Sequence, residues 1–210
     1  MLVKLSARGL KALSETGREP ILGRICDDPA SDENARTEGI LLVPDSLSQL
    51  PDGFRAYLLR RRTEDPSRRN VFLLGADHHY LRAGDVVRID PVRGSLAALY
   101  RAESRSNTFL VTERCDNLCV MCSQPPKERD DSWLVDELER AIPLISSDAC
   151  EIGITGGEPA LLGERLVGLL RLMRDSLPRT AVHILSNGRR FSEDGFARAV
   201  AAVGHPDLMV

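Results

Sequence analysis

The sequence predicts an α/β protein in which a small, mainly β region over residues 1–105 precedes alternating strands and helices over residues 106–210. Short apolar runs closed by turn residues fill the first region, whereas apolar residues recur at helical spacing between the strands of the second. Apolar residues make up 42% of the chain and aromatic residues only 4%, so we expect a globular core of mainly aliphatic side chains.

The first region contains apolar runs that we interpret as strands, at residues 40–43, 54–59 and 71–74. We also expect a β-hairpin around Gly84 and Asp85, which would join strands near residues 80–81 and 86–89. No catalytic group of side chains stands out in this region. Recognition of a substrate or partner is therefore the role that we expect for it.

The second region alternates predicted strands, at residues 108–111, 151–154, 181–185 and 207–210, with helical patterns. Asp131 or Ser132 could cap the first helix, Pro143 should shorten it, and Ser192 should open the third. The middle helix has one apolar stripe, formed by Leu162, Leu166, Leu169, Leu170, Met173 and Leu177. Such alternation predicts a parallel sheet with right-handed crossovers, in which functional residues collect at the carboxyl ends of the strands.

Charge and hydropathy exclude several classes of protein. The net charge of −3 provides no overall attraction to nucleic acid or to a membrane surface, and no run reaches the roughly 18–20 apolar residues of a membrane span. The start has no secretory pattern, so we expect a cytoplasmic protein. The basic stretch Arg60–Arg62 with Arg68 and Arg69 is interpreted as a solvated loop, and a docking surface for an acidic peptide or RNA is the alternative.

Three of the five cysteines stand together as Cys115, Cys119 and Cys122, with C-x3-C-x2-C spacing directly after the first predicted strand of the second region. Thiolates are soft ligands that favour iron–sulfur clusters, zinc or Cu(I). Three thiolates on a four-iron cluster would leave one iron open to a small molecule. A structural zinc site is the alternative, but it typically uses C-x2-C pairs and four ligands.

The other two cysteines are not expected to be ligands. Cys150 precedes the second parallel strand, whereas Cys115 follows the first, so they would lie at opposite edges, about 15 Å apart for a five-residue strand. We expect Cys150 to be a small buried residue, and Cys26 in the first region likewise.

Two turns follow the next strands. Gly156, Gly157, Glu158 and Pro159 come after the second strand, where paired glycines allow a close backbone approach and the proline suits a first helical turn. A tight strand-to-helix turn explains the glycines and Pro159 but not Glu158. Ser186-Asn187-Gly188 follows the third strand and is explained equally well as a plain turn. His183, in the middle of that strand, is interpreted as a core histidine.

The cysteine spacing and the Gly-Gly-Glu-Pro turn together resemble the radical S-adenosylmethionine (SAM) superfamily, whose fold is a (β/α) barrel. The resemblance implies that Cys115, Cys119 and Cys122 bind a [4Fe–4S] cluster. It also implies that residues 156–159 hold the ammonium group of SAM, and that Ser186 and Asn187 reach the cofactor or the substrate. Met121 stands where the superfamily usually has an aromatic residue, and it is large and apolar enough to cover the adenine.

Within the superfamily, the chain resembles the maturases of the His-Xaa-Ser repeat peptide system over about residues 105–205, including Ser123, Gln124, Pro125 and Pro126. This resemblance implies a ribosomally made precursor peptide as substrate, a flavodoxin or ferredoxin as low-potential electron donor, and a partner maturase. The implied reaction is reductive cleavage of SAM to a 5′-deoxyadenosyl radical. Modification of tRNA or of a small molecule, and a ferredoxin-like electron carrier, are the alternatives; nucleic acid is not the favoured partner.

The resemblance also makes the chain look like part of a barrel. It contains about three βα units and the start of a fourth, fewer than the barrel of the superfamily. We therefore expect the natural reading frame to continue past Val210 for on the order of 100 residues, the size of a small domain.

Overall fold

The computed structural model describes residues 5–62, 68–122 and 125–210. The chain divides into two compact units, Met1–Glu103 and Ser104–Val210, two residues before the predicted division between residues 105 and 106. Strands and helices occur together, and the second unit is built on a parallel sheet, as expected for the α/β class. Ser123 and Gln124, and residues 63–67 inside the basic stretch, lie outside the described residues.

A mixed sheet organises the first unit. Its strands in the described residues are β1 (Ser6–Arg8), β2 (Lys11–Ala12), β3 (Ile21–Cys26), β4 (Gly39–Leu42), β5 (Ala56–Leu59), β6 (Val71–Leu73), β7 (Val86–Asp90) and β8 (Ser95–Tyr100). They lie in the order β1-β8-β7-β3-β4-β5-β6-β2, with parallel pairing from β3 to β6. A short helix, α1 (Glu33–Glu38), connects β3 to β4, and a 3₁₀ turn covers Ala76–His78.

The apolar runs of the first unit are buried on both faces of this sheet. Ile40 and Leu58 pack in one hydrophobic cluster, whereas Leu41 and Leu59 pack in another. Because successive side chains of a strand point to opposite faces, a strand covered on both sides reads as a continuous apolar run. The strands predicted at residues 40–43, 54–59 and 71–74 correspond to β4, β5 and β6.

The predicted hairpin around Gly84 is wrong. Residues 80–81 form no strand, and β7 pairs instead with β8, which follows it across a turn at residues 91–94. The signal at Gly84 and Asp85 marks a different turn: the buried Asp85 carboxylate accepts from the backbone N–H groups of Arg82, at 3.0 Å, and Ala102, at 2.8 Å. A local turn signal does not reveal which strands pair on either side of it.

A parallel sheet with three α-helices forms the second unit. In chain order the described elements are β9 (Ser106–Thr112), α2 (Trp133–Ala141), β10 (Glu151–Gly156), α3 (Glu164–Ser176), β11 (Ala181–Ile184), α4 (Asp194–Ala201) and β12 (Leu208–Met209). Every pairing is parallel, and neighbours in the sheet are neighbours in the chain, from β9 to β12. The carboxyl ends of β9, β10 and β11 therefore meet at one edge.

The helices follow the predicted apolar pattern with shifted ends. Five residues of the predicted stripe, Leu166, Leu169, Leu170, Met173 and Leu177, are buried along α3, whereas Leu162 belongs to a preceding 3₁₀ turn, Pro159–Leu162. α2 gives way to a 3₁₀ turn that contains Pro143, as expected for a proline that shortens a helix. Ser192 does not open α4, because a 3₁₀ turn, Arg189–Ser192, precedes it. None of the helices in the described residues is long and apolar enough to cross a membrane.

Candidate functional site

The three predicted site segments meet at the carboxyl edge of the parallel sheet. The loop from Cys115 to Cys122 follows β9, the Gly-Gly-Glu turn ends β10, and Ser186 and Asn187 follow β11. Hydrogen bonds join them, since Glu158 contacts Asn187, and Asn187 contacts Asp116. The parallel register therefore brings together segments that are far apart in the sequence.

Glu158 lies at the centre of this edge with 1% of its surface exposed. Its Oε1 accepts from the Ala160 backbone N–H at 2.9 Å and from the Ser186 hydroxyl at 2.7 Å, and its Oε2 accepts from the Asn187 N–H at 2.6 Å. A carboxylate has about four acceptor positions, and the described residues fill three of those of Glu158, two on Oε1 and one on Oε2. The contact of Glu158 with a ligand ammonium stays a prediction.

The paired glycines are required by the chain itself. A Cβ atom at Gly156 would lie 2.1 Å from the carbonyl oxygen of Thr112, and one at Gly157 would lie 2.1 Å from that of Arg114. The Gly157 N–H donates to Thr112 and the Glu158 N–H to Arg114, each at 2.8 Å. The close approach predicted for these glycines is thus made, at least in part, by the backbone that leads into the cysteine loop.

Pro159 and the turn after β11 complete the edge. Pro159 is buried and begins the 3₁₀ turn that Glu158 caps through Ala160. The Ser186 hydroxyl accepts from the Gly188 N–H at 3.0 Å, and Gly188 adopts a left-handed conformation, with φ of 78°. The Asn-Gly pair therefore acts as a turn, and the backbone and side chain of Asn187 also bind the two neighbouring segments.

Two residues that sequence reasoning missed connect the cysteine loop to this turn. Asp116 accepts from the Asn187 side-chain amide at 2.8 Å, and its carboxylate lies 3.5 Å from the Arg189 guanidinium. Arg189 also donates to the Asp116 carbonyl at 3.2 Å and to the Asn117 side chain at 2.9 Å. A charged residue between two cysteines and an arginine after Asn-Gly were the signals available in the sequence.

The cysteines themselves do not converge in this structure. Cys119 and Cys122 are exposed and Cys115 is half-buried; in the described part of the chain no three Cys, His, Asp or Glu side chains form a group able to hold a metal ion. A turn joins the second and third cysteines, with the Cys122 N–H donating to the Cys119 carbonyl at 3.0 Å. Three thiols on one loop nevertheless match the donor chemistry of an iron–sulfur cluster, so the residues fit this cofactor.

Apolar side chains on the same loop face solvent. Leu118, Val120 and Met121 are all almost fully exposed, which is unusual for large apolar residues that follow one another so closely. The Met121 side chain therefore lies in solvent. Its predicted contact with an adenine ring stays a prediction.

The two remaining cysteines differ from expectation. Cys150 is exposed rather than buried, although it does precede β10 and so lies at the opposite edge from Cys115. Cys26 is only half-buried at the end of β3, with its Sγ 2.8 Å from the Ser31 hydroxyl. His183 is not a core residue either, because its ring is partly exposed and lies 3.7 Å from a Glu151 carboxylate oxygen.

A buried carboxylate closes the base of the cysteine loop. Asp131 was expected as a helix cap, but its Oδ2 accepts from the Thr112 hydroxyl and the Glu113 N–H, and its Oδ1 lies 3.4 Å from the Arg114 guanidinium. The Ser132 side chain does not cap α2 either. Asp131 therefore holds the three residues that directly precede Cys115.

Glu113 adds a second set of contacts at this base. Its carboxylate accepts from Lys127 and Arg129, and these two hydrogen bonds lower the pKa of Glu113 below its usual value. The Lys127 N–H also donates to the Glu113 carbonyl at 3.0 Å. The chain therefore returns to the end of β9 after the loop.

An open cleft of about 640 Å³ adjoins Cys115 on this side of the loop. Its described lining consists of Arg114, Cys115, Glu128, Arg129, Asp130 and Leu161. Both signs of charge are present in this lining.

In the first unit, four arginines of the basic stretch contact nearby groups of the same unit. Arg61, Arg68 and Arg69 lie within ion-pair distance of carboxylates, those of Asp45, Asp52 and Glu15 in that order. Arg60 donates to the carbonyl groups of His79 and Leu81. These contacts agree with a solvated, locally neutralised segment.

Comparisons of the chain with protein-family models, with curated proteins and with solved structures found no match. Function is therefore inferred from the residues at the carboxyl edge of the parallel sheet and from their geometry.

Proposed function

We propose that the chain is a radical SAM enzyme whose site lies at the carboxyl edge of β9, β10 and β11. One observation carries the proposal: the cysteine loop, the Gly-Gly-Glu turn and the Ser-Asn-Gly turn are joined through Glu158, Asn187 and Asp116. A ferredoxin-like electron carrier would need the cysteines but not the other two turns.

The order of the strands supports the finer architecture, part of a (β/α) barrel. In such a barrel, consecutive parallel strands are neighbours and the functional loops gather at their carboxyl ends. A doubly wound sheet instead reverses its strand order at a switch point. The second unit follows the first pattern from β9 to β12.

Cys115, Cys119 and Cys122 would hold a [4Fe–4S] cluster and leave one iron without a protein ligand. With SAM bound, a cluster reduced by the external electron donor would supply the electron for cleavage of SAM to methionine and a 5′-deoxyadenosyl radical. The protein itself would position the cofactors. The backbone at Gly156 and Gly157 packs against the residues that lead to Cys115. Oε2 of Glu158 would accept a hydrogen bond from an ammonium group.

The favoured substrate is a ribosomally made precursor peptide with His-Xaa-Ser repeats, in a reducing, cytoplasmic compartment with a flavodoxin or ferredoxin donor. Modification of tRNA is the alternative. The net charge of −3 and the carboxylates beside Arg61, Arg68 and Arg69 favour the peptide, because RNA binding depends on cations free to contact phosphates.

Anaerobic reconstitution with iron and sulfide, followed by reduction and addition of SAM, tests the enzyme assignment. We expect cleavage of SAM to 5′-deoxyadenosine and methionine, measured by chromatography. A chain that contains the cluster and transfers electrons to a redox dye, but leaves SAM intact, would instead be an electron carrier. The affinities for a His-Xaa-Ser peptide and for a tRNA, each measured at two salt concentrations, then show which of the two is the substrate.

A further inference from the structure

Asp116 and Arg189 face each other across the site edge, one between the first two cysteines and the other after the Ser-Asn-Gly turn. The charged groups lie 3.5 Å apart, and Arg189 also donates to the Asp116 carbonyl and to the Asn117 side chain. Asn187 adds a hydrogen bond of 2.8 Å from its side-chain amide to the Asp116 carboxylate. Two residues of one turn thus hold two residues of the cysteine loop.

The same turn is bound on its other side by Glu158. The Asn187 backbone N–H donates to Glu158, its side-chain amide donates to Asp116, and its side-chain carbonyl accepts from the Arg189 N–H at 2.9 Å. A continuous series of contacts therefore runs from Glu158 through Asn187 to Asp116. A shift of the cysteine loop would have to break or move this series.

Global stability does not explain the pair. The Arg189 side chain is 61% exposed and that of Asp116 32%, and solvent screens an exposed ion pair so strongly that it adds little to folding. The geometry has a different consequence, because one guanidinium nitrogen, Nη1, contacts the carboxylate and the carbonyl of Asp116 and the amide oxygen of Asn117, which limits where these two loop residues can lie. Three side chains of the loop between Cys115 and Cys122, those of Leu118, Val120 and Met121, are almost fully exposed.

We infer that Asp116 and Arg189 are positioning residues, which hold the cysteine loop in register with the Gly-Gly-Glu and Ser-Asn-Gly turns. The inference rests on the proposed function. It adds that the cluster loop and the SAM-binding turns are energetically coupled through this pair. Their assigned role is to act through the loop and the turns.

The test uses the 210-residue chain and the variants Asp116→Ala, Arg189→Ala and the double variant. Arg179→Ala is the matched control, because Arg179 pairs with Asp148 in the loops at the amino edge of the same sheet. In the chain without iron, hydrogen exchange of residues 115–122 should become severalfold faster in the Asp116 and Arg189 variants and stay unchanged in the control.

In the reconstituted chain, SAM is titrated while the electron paramagnetic resonance spectrum of the reduced cluster is recorded. We expect either single variant to need about tenfold more SAM for the spectral change, equivalent to about 1.4 kcal/mol. The double variant should bind SAM no more weakly than either single variant, since each single variant already removes the shared interaction. Arg189→Lys should recover part of the binding, because the three contacts of Arg189 are made by one nitrogen, Nη1, and an ammonium group also has three donors.

The outcomes separate the two proposals. Additive effects of the two variants, wild-type behaviour of both, or an equal effect of Arg179→Ala would overturn the positioning role, even if the wild type cleaves SAM. If the wild type takes up no iron, the proposed function is overturned. Faster hydrogen exchange in the Asp116 and Arg189 variants would in that case still support the role of the pair in holding the loop.

Discussion

The backbone N–H of Asn187 donates to Oε2 of Glu158 at 2.6 Å, across the ends of two neighbouring parallel strands. Each residue lies just beyond its strand, Glu158 after β10 and Asn187 after β11. Because the carboxylate is buried, this contact is part of the fold as well as of the candidate site. Substitutions here should therefore change stability and ligand binding together, and experiments have to measure both.

Cluster assembly should depend on three of the five cysteines. After anaerobic reconstitution, the wild type should contain about four iron atoms per chain, as a [4Fe–4S] cluster does. Cys115→Ala, Cys119→Ala and Cys122→Ala should each lose the cluster, measured by iron and sulfide content. Cys150→Ala and Cys26→Ala should keep it, and loss in the folded Cys150 variant would contradict the assignment of ligands.

Glu158→Ala should weaken SAM binding without removing iron, because an ammonium group loses a charge-assisted partner worth roughly 1.5–3 kcal/mol. The buried contacts add a second effect. Three donors lose their acceptor, so we expect a loss of about 3 kcal/mol in the free energy of unfolding, at roughly 1 kcal/mol per hydrogen bond. Urea denaturation followed by Trp133 fluorescence measures it.

The matched control for this variant is Glu164→Ala, which removes an exposed carboxylate at the start of α3. It should change neither SAM binding nor iron content and should have only a small effect on stability. If Glu158→Ala bound SAM as tightly as the control does, Glu158 would be a structural residue only.

Gly157→Ala should disrupt the entry to the cysteine loop. The new Cβ would lie 2.1 Å from the Arg114 carbonyl oxygen and 3.0 Å from the Cβ of Cys115, so the backbone has to move. We expect a loss of stability in the range of other overpacked sites, roughly 1–3 kcal/mol, together with a reduced iron content.

Gly168→Ala makes the same chemical change in a place where it should be harmless. Gly168 lies on the exposed side of α3, and its Cβ would meet nothing within 4 Å. Since alanine is the better helix former, the variant should gain roughly 0.5–1 kcal/mol. Similar thermal unfolding of the two glycine variants would show that the approach at Gly157 is not required.

The first unit should lose stability in mild acid because of His78. Its side chain is completely buried, and burial lowers the pKa of His78 below its usual value. Below about pH 6.5 the unfolded chain binds a proton that the folded unit does not, so stability falls as pH falls. Above that pH both states are neutral at this residue and the effect disappears.

His78→Gln should therefore flatten the dependence of stability on pH between pH 7 and pH 5, in about the range of an ordinary histidine pKa. All three tyrosines lie in the first unit and the one tryptophan in the second, so tyrosine and tryptophan signals report on each unit. His79→Gln, at an exposed position, is the control. An unchanged slope in the His78 variant would assign the pH dependence to other groups.

Local patterns were enough to predict several features of the chain. The alternation of β9 to β12 with three helices follows from apolar spacing, and the shortening of α2 follows from Pro143. The grouping of the cysteine loop, Glu158 and Asn187 was also predictable, because parallel strands place their carboxyl ends at one edge. In each case the feature is determined by residues that are near one another in the sequence, or by a rule that holds for all parallel sheets.

Only the tertiary structure decided which partners these residues have. Asp131 binds the end of β9 instead of capping α2, Arg189 holds Asp116, and the glycines at 156 and 157 make room for the backbone at 112 and 114. The pairing of β7 with β8 and the exposure of Cys150 belong to the same group. The physical reason is that a side chain's partners and burial depend on residues brought close by the fold, and no short window of sequence contains them.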